Sequence, residues 1–188
     1  MRALIPLALL LALTSAATAA PVPYALEPAQ STVGFETDFG ADKISGRMPV
    51  TQADLRIDFD NLAATTISVT LDVGHAEASF PFAAQAMKGP KVLDSAEFPQ
   101  ITFRSTSVKT DGDGAQVAGQ ITIRGVTKPA TLHATIFRQK GSAEGDLSHL
   151  TIRLTGAVLR SDFGATGWSD MVGDQVRLDI IARIAVVK

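Results

Sequence analysis

From residue 31 onward the dominant period of the chain is two. Val33, Phe35, Thr37 and Phe39 alternate with Gly34, Glu36 and Asp38, and Leu55, Ile57 and Phe59 alternate with Arg56 and Asp58. The same beat runs through Ile67/Val69/Leu71/Val73, Ile101/Phe103, Val117/Ile121/Ile123 and Leu132/Ala134/Ile136. It returns in Leu150/Ile152/Leu154/Val158 and in the long run Val176/Leu178/Ile180/Ala182/Ile184/Val186. Successive side chains of a strand point to opposite faces, so this pattern puts one face in an apolar interior and the other in water. It predicts eight to ten antiparallel strands joined by short turns. Asp111-Gly112-Asp113-Gly114 is the clearest hairpin loop, because Gly and Asp accept the positive φ that tight hairpins need. Gly141 to Asp146 reads as another loop.

One stretch breaks the period. Ser79 to Glu97 is Ala-rich, carries a Pro near its start and is stopped by Gly89-Pro90. It predicts a helical segment, with a second short helical turn around Leu93–Glu97. Many amphipathic strands with little helix to cover their edges favour closure into a barrel, with a two-sheet sandwich as the alternative. A barrel of eight strands is wide enough to be filled by side chains or to hold one small ligand. The inward set is Val, Ile, Leu, Ala and scattered Phe, so any pocket would be apolar.

The first residues have a different character. Arg2 precedes an apolar run from Ala3 to Leu13, and Ala17 and Ala19 fit the small-residue rule for signal peptidase. The run is too short for a membrane span. A cleaved signal peptide over residues 1–19 is expected, followed by one domain over 20–188 without linker or repeat. No cysteine follows the apolar run to carry a lipid anchor.

Composition narrows the chemistry. With no Cys among 188 residues, disulfide scaffolds, zinc ribbons and thiol enzymes are excluded. A formal charge of -2 argues against a nucleic-acid partner. His75, His133 and His149 lack the spacing of a metal site, and the Asp111/Asp113 pair lacks the closing Glu of a calcium loop. Gly-x-Ser-x-Gly, phosphate-loop and His-Glu-x-x-His motifs are absent. No catalytic residue, metal or cofactor is therefore expected.

Two regions depart from plain amphipathic logic. Phe80, Phe82, Met87, Phe98 and Phe103 are large soft side chains near the helical segment, able to plug the core or to line and cover an apolar ligand site. Arg160 to Gly164 and Gly167 to Asp170 place an Arg and the only Trp in a Gly-rich loop at a strand end. Arg160 either offers its guanidinium to a ligand head group or pairs with Asp162 or Asp170.

Four segments in this order resemble the YceI-like family: Tyr24 to Phe35, Leu93 to Ser105, Val117 to Pro129 and Arg160 to Gly164. The resemblance covers essentially all of the chain after the first twenty residues. It implies a lipocalin-like antiparallel barrel, export to the bacterial periplasm, and a long polyisoprenoid or quinone-like lipid held inside, with no catalytic role. The stretch from Gly74 to Val92 is a shorter and more apolar lid than is usual in that family. On this reading the barrel lining and lid comprise Phe35, Phe80, Phe82, Met87, Phe98, Ile101, Phe103, Ile123, Phe163 and Trp168, with Arg160 at the head group. Two other readings stay open. One is a barrel that binds a protein through its surface, and the other a lipid-modifying enzyme with Arg160, His75 or Asp162 at the mouth. The apolar lid or an open strand edge would also serve to pair two copies as a homodimer.

Overall fold

A computed structural model describes residues 20–138 and 141–187; the expected signal peptide lies outside them. The strands run β1 (Val22–Leu26), β2 (Thr32–Phe39), β3 (Asp42–Met48), β4 (Val50–Ile57), β5 (Thr66–Asp72) and the two-residue β6 (Glu77–Ala78). After the helix α1 (Pro81–Lys88) come β7 (Gln100–Asp111), β8 (Gly114–Ile123), β9 (Val126–Arg138), β10 (His149–Leu159) and β11 (Val172–Val186). Every pairing is antiparallel, in the ring order β1-β4-β5-β7-β8-β9-β10-β11, and β11 returns to β1.

Two breaks in long strands, with the two-residue β6 lying outside the ring, reconcile eleven strands with an eight-stranded barrel. β1 and β2 are one strand interrupted by a 3-10 turn at Pro28–Gln30, and β3 and β4 are one strand broken at Pro49. Proline has no N–H for a ladder, so the chain changes partner there. β11 is 15 residues long and spans both halves of the first broken strand. Val172 to Ile181 pair with β2, and Ile184 to Val186 pair with β1. Tyr24 closes the ring, standing opposite Val186 on one side and Leu55 on the other.

The tight turns follow local chemistry. Asp111 pairs with Gly114, and Gly112 takes φ 57° at the β7–β8 hairpin. At the β8–β9 hairpin both turn residues, Arg124 (φ 50°) and Gly125 (φ 72°), are left-handed, the conformation that matches strand twist in a two-residue turn.

The helical expectation holds over a shorter span than 79–97. α1 covers Pro81–Lys88, with Pro81 in its first turn and Gly89 at its C-cap. Leu93–Glu97 is a hydrogen-bonded turn instead of a helix, in which Asp94 O accepts from Phe98 N at 2.7 Å. Asp94 has φ 49°, which a right-handed helix does not admit. The 73–99 segment as a whole leaves the wall between β5 and β7 and crosses one end of the barrel. It is tied to β3 by Gly46↔Ala78 and Arg47↔Glu77 and by the bond from Ser79 N to Ser45 O at 2.7 Å.

Candidate functional site

The inward side chains do not fill the barrel. They enclose a cavity of about 360 Å³ whose wall is drawn from every long strand, from α1 and from the loop before β11. That volume lies in the range of small-molecule sites. The wall draws on three apolar groups, one containing Leu55 and Ile184, one Val117 and Leu132, and one Ile101 and Phe163.

The few polar groups of the wall are turned away from the cavity and used by the backbone. Thr37 Oγ donates within reach of Gly173 O and Gln175 O, each at 3.0 Å. Thr65 Oγ accepts from Asp58 N at 3.1 Å. Ser31 Oγ donates to Glu27 O at 2.8 Å and accepts from Arg183 N at 2.9 Å. Among the described residues no Asp, Glu, His or Lys lines the cavity. Apart from Arg160, a ligand inside would meet carbon and no charged side chain.

Arg160 is the charged residue of the wall, and its guanidinium is already committed. It is buried, at 8% exposure, and donates to four main-chain carbonyls: Ala165 O and Gly167 O at 2.7 Å, Gly173 O and Val172 O at 3.0 Å. Burial lowers its pKa, an effect opposed by the charge of Asp174. Neither Asp162 nor Asp170 forms the ion pair expected as the alternative; the acid bound to this turn is Asp174. Asp174 accepts from Ser161 Oγ at 2.7 Å and Ser161 N at 2.9 Å, and the Ser161 hydroxyl, first among these, holds its carboxyl below the usual carboxylate range. Arg160 thus shapes the loop from Ala165 to Val172, which forms part of the cavity mouth.

Nine of the ten expected lining and lid residues border the cavity: Phe35, Phe80, Phe82, Met87, Ile101, Phe103, Ile123, Phe163 and Trp168. Phe98 does not. Its ring lies beneath the β8–β9 turn, where a Cβ on Gly125 would come within 2.8 Å of it. Glycine at that position therefore satisfies both the positive φ and the ring below. His75 and Asp162 are exposed and off the cavity wall; His75 Nδ1 sits 2.6 Å from Asp72 Oδ2, and the His75 side chain is 82% exposed. His133 stands in solvent, 3.2 Å from Asp111.

Two mouth residues are not among the expected site residues. Arg124 Nη1 donates to Gly164 O at 2.7 Å and its Nη2 to Pro90 O at 2.8 Å, clamping the 160s loop to the segment that bears α1. Lys91 Nζ lies 5.9 Å from the Trp168 ring centre, and Lys91 O accepts from Gly167 N at 2.8 Å. The segments Leu93 to Ser105, Val117 to Pro129 and Arg160 to Gly164, far apart in the chain, therefore meet around one end of the barrel.

Such a barrel, with this convergence, matches a known domain: the YceI-like domain model fits residues 24–184. The chain belongs to the YceI-like family. Among YceI-like relatives, the Escherichia coli O17:K52:H18 protein YceI is 33% identical over 112 residues, 57% of this chain and 59% of that protein. The aligned part thus spans about three-fifths of that relative's length. A UPF0312 protein of Enterobacter sp. (strain 638) is 28% identical over 185 residues, covering 98% of this chain and 95% of its own. Solved structures agree on the fold. Burkholderia cenocepacia BcnA superposes with a TM-score of 0.76 at 21% identity over 86% of this chain and all of its own. A polyisoprenoid binding domain from Saccharophagus degradans, implicated in plant cell wall breakdown, gives 0.61 at 11% identity over 88% of this chain and 99% of its own.

Proposed function

We propose that this YceI-like barrel is a binding protein that holds a long apolar lipid, polyisoprenoid or isoprenoid-quinone in type, for transport or storage after export to the periplasm. The observation that carries the reading is the cavity of about 360 Å³ whose polar wall groups are all spent on the backbone. The polyisoprenoid binding domain that shares the fold supports the ligand class. Arg2, the apolar run from Ala3 to Leu13 and the small residues Ala17 and Ala19 support export through their sequence.

The energetics suit such a ligand. Each methylene moved from water into the wall contributes about 0.8 kcal/mol. A chain placing a dozen or more carbons inside gains on the order of 10 kcal/mol, from which association subtracts several. Affinity then grows with chain length and needs no polar contact. No catalytic step is assigned, because no side chain able to act as base or nucleophile borders the cavity among the described residues other than threonine and serine hydroxyls already bonded to the backbone. A surface-only protein-binding module would have no use for an open interior.

Native mass spectrometry of the protein purified without detergent, with extraction and identification of the bound molecule, tests the proposal. A stoichiometric prenyl lipid or quinone is expected. An apo mass that persists after incubation with prenyl lipids would overturn it.

A further inference from the structure

A water-insoluble chain held in this cavity must pass to and from a lipid phase, so the mouth is where such transfer would occur. Phe82 borders the cavity yet is 68% exposed, and Met171, on the facing loop, borders it at 48% exposure. The two positions are linked across the mouth. The rings of Phe80 and Phe39 lie 6.1 Å apart, Phe39 stands opposite Val172 in the sheet, and Met171 O accepts from Gly40 N at 3.0 Å. The charges beside them have one sign on the α1 side. Lys88 ends the helix and Lys91 follows it, and no carboxylate occurs between Glu77 and Asp94. Neither lysine forms an ion pair among the described residues, whereas Lys43 and Arg47 of β3 are paired with Glu36 and Glu77. On the facing loop Asp170 precedes Met171, so the positive side of the mouth is the α1 side.

We propose that this rim docks on the surface of an anionic phospholipid bilayer, with Phe82 and Met171 inserted among the acyl chains and Lys88 and Lys91 against the head groups. Exposed apolar side chains flanked by lysines are the usual elements of interfacial binding. This interaction rests on the lipid-holding reading for its purpose, but its physical content is separate.

The test is flotation of the purified protein with vesicles containing phosphatidylglycerol, against vesicles of phosphatidylcholine alone, with native mass spectrometry of each protein for bound lipid. Wild type is expected to float with the anionic vesicles and to be released by salt. Phe82→Asp is expected to lower partition at least tenfold, and the pair Lys88→Gln with Lys91→Gln about thirtyfold. Phe137→Asp changes a residue 50% exposed but off the cavity wall, and is expected to leave flotation unchanged. The lysine pair and Phe137→Asp should keep their lipid, and every variant, Phe82→Asp included, its thermal transition. Docking is overturned if wild type carries lipid and does not float, or if Phe137→Asp loses as much as Phe82→Asp. It is likewise overturned if Phe82→Asp abolishes self-association in sedimentation with no vesicle binding by wild type, which would make the rim a contact between two copies. A wild type that floats in the expected manner but carries no lipid upholds docking and removes the lipid-holding reading.

Discussion

Replacing Arg160 by Met keeps much of the apolar stem and deletes the N–H donors that organise the mouth loop. The side chain donates to four carbonyls at 2.7 to 3.0 Å, one of these bonds being fully buried. Hydrogen bonds to a charged group contribute about 1.5–3 kcal/mol each, so an upper bound for losing all four is about 6–12 kcal/mol. Two effects reduce it. Water can reach the partly buried carbonyls, and the variant no longer desolvates a guanidinium. A net loss of about 3–5 kcal/mol remains, the usual cost of removing one member of a buried charged network. In urea, with a slope of about 2 kcal/mol per M, the midpoint should fall by about 1.5–2.5 M. Arg160→Lys should recover less than half of this, because one ammonium cannot reproduce a planar fork aimed at carbonyls on two sides. A loss below about 1 kcal/mol for Arg160→Met would refute the reasoning: it would mean that the loop keeps its shape without the guanidinium.

Other expectations follow from neighbouring observations. Gly119→Ala puts a Cβ into the Arg104 carbonyl oxygen and the Phe103 ring, and should destabilise by about 1–3 kcal/mol in thermal or urea unfolding. Ala182→Phe points extra carbon into the cavity, so it should cost less than about 1.5 kcal/mol while lowering lipid occupancy by mass spectrometry; a cost above about 3 kcal/mol would mean a filled interior. The carboxyls of Asp179, Asp174, Asp72, Asp38, Asp146 and Glu36 are all held below their ordinary values, Asp179 chiefly by hydrogen bonds from Arg153 and Asp72 chiefly by His75. Groups depressed in the folded state stabilise it above their unfolded pKa and lose that contribution as pH falls through the folded one. Urea midpoints should therefore be flat from about pH 5 to 8 and decline below about pH 4; a rise in stability on acidification would contradict the ion-pair assignments.

What the sequence determined by itself was the identity of the strands and the face each turns inward. Alternation is a local property, and the inward sets of β2, β4, β5, β8, β10 and β11 could be named from residue types alone. The glycine turns were legible for the same reason, since positive φ is a demand made on one residue at a time. Many strands with little helix to cover their edges favoured a barrel over a sandwich, and family resemblance pointed the same way. Closure depended on the register by which β11 reaches from β2 to β1, and register is a relation between distant segments.

The mouth was decided only by the tertiary structure. Arg160 and Phe98 looked like ligand contacts because their chemistry suits that role. Their partners are main-chain carbonyls of residues 165 to 173 and the bare backbone of Gly125, and neither leaves a mark on the side-chain sequence. The cavity is likewise a sum over the whole wall. Each inward residue is equally apolar in a filled barrel and in a hollow one, and only their combined volume against the ring's width leaves space inside.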